Sequence, residues 1–196
     1  MARRNDVKER ILDAAAALFM ERGFAGTTVR EIGEQAGVGQ SSLYHHVHSK
    51  AQLLRQLHGT FVQDMLGQLE LIVFAEELLS PTEQLRSVIH TILSSLDTHL
   101  PEVTVYLRES HALPERFRVE VTQERDKADM MVDIVLNRGI TSGDFRPDLD
   151  VHLTRLAIFG MCNWGYQWYR PGGPQTIDEV SEYFADLVIR GVSMAG

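Results

Sequence analysis

The stretch that most constrains this chain runs from Thr27 to Lys50, TTVREIGEQAGVGQSSLYHHVHSK. Thr28 followed by Glu31 is a capping box, which satisfies orphan amides and starts a helix. Val29, Ile32 and Ala36 then recur at helical spacing and give one apolar face. Gly37 ends the helix, because glycine accepts the left-handed conformation that a sharp stop needs. Gly39, Gln40, Ser41 and Ser42 open a second short helix, with Leu43 and Val47 turned inward. The outward set is then Gln40, Ser41, Ser42, Tyr44, His45 and His46. Two short helices around a glycine turn, the second polar on its outer face, meet the requirements of a helix-turn-helix that enters the major groove of DNA. Serine and glutamine can hydrogen-bond base edges or phosphates, and Tyr44 carries a hydroxyl on a rigid arm. Ser49 with Gln52 starts a third helix, whose first residue, Lys50, is placed to meet a phosphate. Thr28, Arg30 and Gly39 complete the expected DNA-contacting set.

The charge distribution supports this reading. The net charge of −8 is wrong for a nucleic-acid binder taken as a whole. Residues 1–50, however, hold seven Lys/Arg against six Asp/Glu, a net of +1, and residues 51–196 hold twelve against twenty-one, a net of −9. The acidity lies away from the motif. Arg3, Arg4 and Lys8 form a basic start that either reaches the DNA backbone or minor groove or is a solvated terminus. A constitutive architectural DNA binder, whose affinity comes from phosphate contacts alone, needs a strongly basic surface that this chain lacks.

With 44% hydrophobic residues the chain can bury a core, and its pattern is helical nearly throughout. Helix one is expected from Asn5 to Arg22. A long helix after Ser49 carries Leu53, Leu57, Phe61, Met65 and Leu69 and bridges two domains, 4–64 and 65–196. Ser80-Pro81-Thr82-Glu83 starts another. Pro101 begins a shorter helix, and Pro114 a long one ending near Gly139. Asp150 to Tyr169 reads as a helix apolar nearly all round from Leu156 to Trp168, as if buried on two sides. Thr176 with Glu179 caps the last. These two terminal helices suit a four-helix dimer interface, or they cover their own core.

No catalytic pattern emerges. His45, His46 and His48 sit in the recognition segment, and His90, His99, His111 and His152 lack metal-ligand spacing. There is no nucleophile elbow, phosphate loop or dinucleotide fingerprint, so the reading is of a non-enzyme with no cofactor and no metal. The single cysteine, Cys162, excludes a disulfide within the chain and fits a reducing cytoplasm; it reads as core filler or as a redox sensor. No run is long and apolar enough for a membrane span.

Residues from about 4 to 64, through ILDAAAALFMERGFAGTTVREIGEQAGVGQSSLYHHVHSK, resemble the N-terminal domain of the TetR family of bacterial repressors. The matching positions include Phe19, Gly23, Phe24, Thr28, Ile32, Ala36, Gly37, Val38, Leu43, Tyr44, His45, Val47 and Lys50. The resemblance implies an all-α homodimer, each subunit carrying a three-helix DNA-binding domain and a larger helical domain for ligand binding and dimerisation. The stretches VYLRES, GDFRPDLDVHL and NWGYQWYRPGGPQTIDEV further resemble an actinobacterial subgroup that includes regulators of fatty-acid and cholesterol-ring catabolism, relieved from DNA by acyl-CoA thioesters. That resemblance implies a contact from Trp164 to a CoA thioester. Where the steroid-ring regulators carry an arginine four residues before this tryptophan, this chain has Gly160; Arg108, Arg138, Arg155 and Arg170 are the substitutes or are ordinary surface charges. An effector pocket between helices is expected to draw on Met65, Leu69, Ile92, Leu96, Tyr106, Met130, Ile134, Phe159, Asn163, Trp164 and Trp168, each of which also suits plain core packing. The expected function is a ligand-responsive repressor of a palindromic DNA operator, released by an acyl-CoA-type effector. The other reading is a repressor of an efflux or detoxification gene that senses a hydrophobic drug-like molecule.

Overall fold

The computed structural model describes residues 7–74 and 78–194. Asn5, where the sequence reading starts the first helix, lies outside them, as do Arg3 and Arg4. The described chain is built from α-helices, as expected. It divides into two compact units, residues 1–61 with 101–121, and 62–100 with 122–196.

The first unit begins with α1 (Val7–Arg22), α2 (Val29–Gln35) and α3 (Gln40–His46). Helix α4 (Lys50–Phe74) starts in this unit and continues past residue 61 without a break. Helix α6 (Leu100–Glu109), a 3-10 turn (Ser110–Ala112) and the start of α7 (Glu115–Ser142) complete it. Ile11, Ala15, Leu18, Phe19, Ile32, Leu43, Leu54 and Leu57 form its core. Val105, Leu113 and Val121 join the same cluster. That is why 101–121 packs here, although the sequence reading, with one boundary after residue 64, grouped it with the regulatory part.

The second unit holds the rest of α4 and α7, with α5 (Pro81–Thr98), α8 (Val151–Asn163), α9 (Gly165–Trp168) and α10 (Ile177–Val192). Complete capping boxes, Ser80 with Glu83 and Thr176 with Glu179, start α5 and α10. These two helices lie along each other. Arg86 of α5 pairs with Glu182 and Asp186 of α10 at 2.6 and 2.8 Å, and His90 meets Asp178 at 3.0 Å.

Two helix ends differ from the sequence reading. Helix α7 runs past Gly139 to Ser142, and the left-handed residue is Gly143, φ +85°. Gly139 lies inside the helix, and its missing side chain makes room for Phe145, whose ring lies 2.0 Å from where a Cβ would stand. The helix expected from Asp150 to Tyr169 is broken into α8 and α9 at Trp164. Here Gly165 approaches α5 so closely that a Cβ would sit 2.4 Å from Leu96 Cδ1. Nor is this segment covered on two sides within the chain, since Leu153, Leu156 and Trp164 are exposed.

Candidate nucleic-acid interface and effector site

Helix α2 is locked at both ends. Thr28 Oγ1 accepts from the Glu31 amide at 3.2 Å, and the Thr28 amide donates to Glu31 Oε2 at 2.8 Å. The Thr28 hydroxyl also donates to Glu31 Oε2 at 2.7 Å, and this bond first, then the amide bond to the same carboxylate, holds the Glu31 carboxyl below its ordinary range. At the other end Gly37 takes φ +63°. The Arg10 guanidinium donates to the carbonyls of Ala36 and Gly37 there, covering acceptors that the helix end leaves open. Gly33 lets α3 press onto α2: a Cβ would stand 2.5 Å from Leu43 Cδ2. Leu43 and Val47 are buried.

With its inner side fixed, α3 turns Gln40, Ser41, Tyr44, His45 and His46 outward, all exposed, Tyr44 by 60%. Ser42 is half-buried, and Gly39, the residue before the helix, is exposed. Thr28 and Arg30 are exposed on α2's side of the motif, Arg30 paired with Glu34 at 2.8 Å. Lys50 behaves differently from the expectation of a phosphate ligand. It is half-buried, its ammonium donates to the carbonyls of Phe24 and, at 2.7 Å, Thr27, and it lies 4.4 Å from the centre of the Phe24 ring. Its first task is to tie the α1–α2 corner to α4; sequence position alone does not reveal that, because the partners are 23 and 26 residues away.

The residues expected around an effector are scattered over several environments. Leu69, Ile92 and Leu96 are buried in the second unit's core. Met65, Ile134, Phe159 and Asn163 are half-buried, and Met130, Trp164 and Trp168 are exposed. Tyr106 belongs to the first unit, where its ring packs edge-on against His58 at 4.9 Å and Phe61 at 5.4 Å. Trp168 packs against Phe184. A cavity of about 550 Å³ lined by Pro81, Ile134, Asn137, Arg138, Thr141 and Ser142 takes in Ile134 alone of the expected set.

Three of the four arginines named as substitutes for the one absent at Gly160 are already engaged. Arg155 is held between Asp133, at 2.8 Å, and Asp129, with His152 at 3.0 Å. Arg138 donates to the Val73 carbonyl, and Arg170 to those of Tyr169 and Gln167. Arg108 is exposed and has no carboxylate partner among the described residues. Burial pushes the Cys162 thiol up to about 12, which leaves it protonated and unreactive and favours the packing role over redox sensing. The described residues contain no group of three or more side chains able to hold a metal ion. Among the described residues no helix is long and apolar enough to cross a membrane.

Sequence reasoning missed His58. It is fully buried, neither ring nitrogen has a hydrogen-bond partner among the described residues, and desolvation, then the Arg55 charge, lowers its pKa to about 4. Its position four after Leu54 and three before Phe61, on an apolar helical stripe, is the signal that could have found it.

Known proteins share this arrangement. The description "Bacterial regulatory proteins, tetR family" matches residues 11–57, and "Tetracyclin repressor-like, C-terminal domain" matches residues 78–192. The HTH-type transcriptional repressor KstR2 of Mycobacterium tuberculosis is 35% identical over 194 residues, covering 98% of this chain and 96% of the relative. The solved structure of that organism's ketosteroid transcriptional regulator KstR2 superposes with a TM-score of 0.90 at 33% identity, over 97% of each chain. A structure of AibR in complex with isovaleryl coenzyme A and operator DNA matches with a TM-score of 0.79 at 25% identity, over 96% of this chain and 98% of that one. A locked helix-turn-helix with an exposed polar reading face, followed by a helical domain that matches along its length, places this chain in the TetR family of bacterial regulators, as a DNA-binding transcriptional repressor.

Proposed function

We propose that the protein acts as a homodimer on a palindromic operator and is released by an acyl-CoA thioester. The observation that carries the reading is an open apolar stripe on α8 and α10. Leu153, Leu156, Ala157, Gly160 and Trp164 follow one another at helical spacing on α8 and at its end, and all are exposed; Tyr183 and Leu187 are exposed on α10. A contiguous exposed apolar patch marks an interaction surface. A second copy covers it by two-fold symmetry, and two recognition helices then read two half-sites. Gly160 fits a close helix crossing: nothing lies within 4 Å of where its Cβ would be.

Trp164, 61% exposed, lies at one end of this stripe. An effector that touches Trp164 is therefore enclosed only once the second copy is in place. That makes effector occupancy and the spacing of the two reading heads parts of one equilibrium. The thioester class is supported by AibR, whose structure holds both isovaleryl coenzyme A and operator DNA, and by the similarity to KstR2. The test is an operator gel shift titrated with a panel of short-chain, long-chain and steroid-derived acyl-CoAs. Release by one class is expected, with Trp164→Ala weakening release at least about tenfold and leaving operator affinity unchanged. Intact binding under every thioester overturns the reading, and release by hydrophobic drug-like molecules alone turns it to the efflux class.

A further inference from the structure

Most arginines of the first unit's described residues are already engaged. Arg22 pairs with Glu31, Arg30 with Glu34, Arg55 with Glu120 and Arg118 with Glu115. Arg10 and Lys50 donate to backbone carbonyls. Among the described residues of this unit, Arg108 and Arg116 keep an exposed guanidinium with no carboxylate partner. Arg116 also lines a cavity of about 540 Å³ shared with Phe117, His48, Ser49, Gln52, Arg55 and Gln56. The lining holds two arginines, a histidine, a hydroxyl and two amides, and no carboxylate. Ser49 Oγ already accepts from the Gln52 amide at 3.1 Å, so its hydroxyl hydrogen is the part it offers outward. Arg116 rests 4.7 Å from the centre of the Phe117 ring, which leaves the N–H edge of the guanidinium available. Exposed His48 follows directly on Val47, the residue that closes α3, so the lining of this donor-rich cavity begins two residues after His46.

We propose that this cavity seats a phosphate of the operator backbone beside the bases read by α3, held by Arg116, His48 and the Ser49 hydroxyl. A guanidinium fork with neutral donors is a strong oxyanion site, and such contacts position a protein on DNA without reading sequence. The arrangement brings a residue from the start of α7 into the DNA footprint and adds its cation to those of α1 to α4.

The test is operator affinity as a function of salt for the full-length protein and for Arg116→Ala, Arg116→Lys and Arg118→Ala. Each phosphate contact contributes about 0.9 to the slope of log affinity against log salt. Arg116→Ala is expected to weaken operator and unrelated DNA alike, about five- to tenfold, and to flatten the slope by about one per bound subunit. Lysine at 116 should restore most of both, and Arg118→Ala, which removes a cation already paired with Glu115, should change affinity less than about twofold. An unchanged slope in Arg116→Ala overturns the proposal. So does a result in which inorganic phosphate raises the melting temperature of the free protein through Arg116 while DNA binding is indifferent to that residue; the cavity would then serve a free anion.

Discussion

The α2–α3 reading head and the α8–α10 face are both helical, but they finish their packing differently. In the first, every buried contact is made inside the chain: a capping box at one end, Arg10 on the carbonyls at the other, Gly33 against Leu43 between them. What remains outside is polar. In the second, α10 binds α5 through a ladder of ion pairs on one side, while Leu153, Leu156 and Trp164 of the α8 segment, with Tyr183 and Leu187 of α10, stay uncovered. One region presents polar chemistry on a rigid platform; the other presents an apolar surface, which under the proposed function a further copy completes.

The largest expected effect breaks the platform. Leu43→Ala removes a 1%-exposed side chain wedged against Gly33 and should cost about 2–5 kcal/mol, read by denaturant unfolding, with operator binding lost in proportion. A cost below about 1 kcal/mol would mean that the turn is held by its polar caps instead.

The next effect is acid sensitivity in the same unit. His58 has a folded pKa of about 4, against 6.5 when it is unfolded. The unfolded chain therefore takes up a proton first as pH falls. Stability is full above pH 6.5, is lost progressively as pH drops from 6.5 to 4, and the loss totals about 3 kcal/mol. Unfolding at a series of pH values should show this limb in the wild type and a flatter one in His58→Leu. Parallel curves would assign the acid limb to other groups.

The smallest effect on the chain itself, yet decisive for the other face, is Leu156→Glu. It places a charge on an exposed helical position, so helicity and monomer stability should change by less than about 0.5 kcal/mol. Sedimentation should report loss of the dimer, and operator affinity should fall at least about tenfold, about 1.4 kcal/mol. A Leu156→Glu protein that remains dimeric would move the interface elsewhere.

The two regions also differ in what their sequences disclose. The motif was readable because its determinants are local: Thr28 and Glu31 are three apart, Leu43 and Val47 four, and Gly37 marks its own turn. The carbonyl bonds of Lys50 were not readable, because its partners belong to a distant corner. Residues 101–121 carried visible apolar spacing, but nothing in the spacing says which of two cores receives Val105 and Leu113. The break at Trp164 follows from Gly165 meeting Leu96, a contact made across 69 residues. The engagement of Arg155 was half visible: Asp129 and Asp133 are four apart on α7 and share a helix face, but only the fold brings the arginine between them.

Lys50 carries one more consequence. Its ammonium joins the carbonyls of Phe24 and Thr27 to the first turn of α4 and rests on the Phe24 ring, so the corner between α1 and α2 has no slack against that helix. A tilt of α4 then carries the reading head as a handle carries a stamp, whole and without flexing. The orientation of α3 becomes a property of α4, and a rotation there moves the exposed face that carries Tyr44 and His45 as one piece.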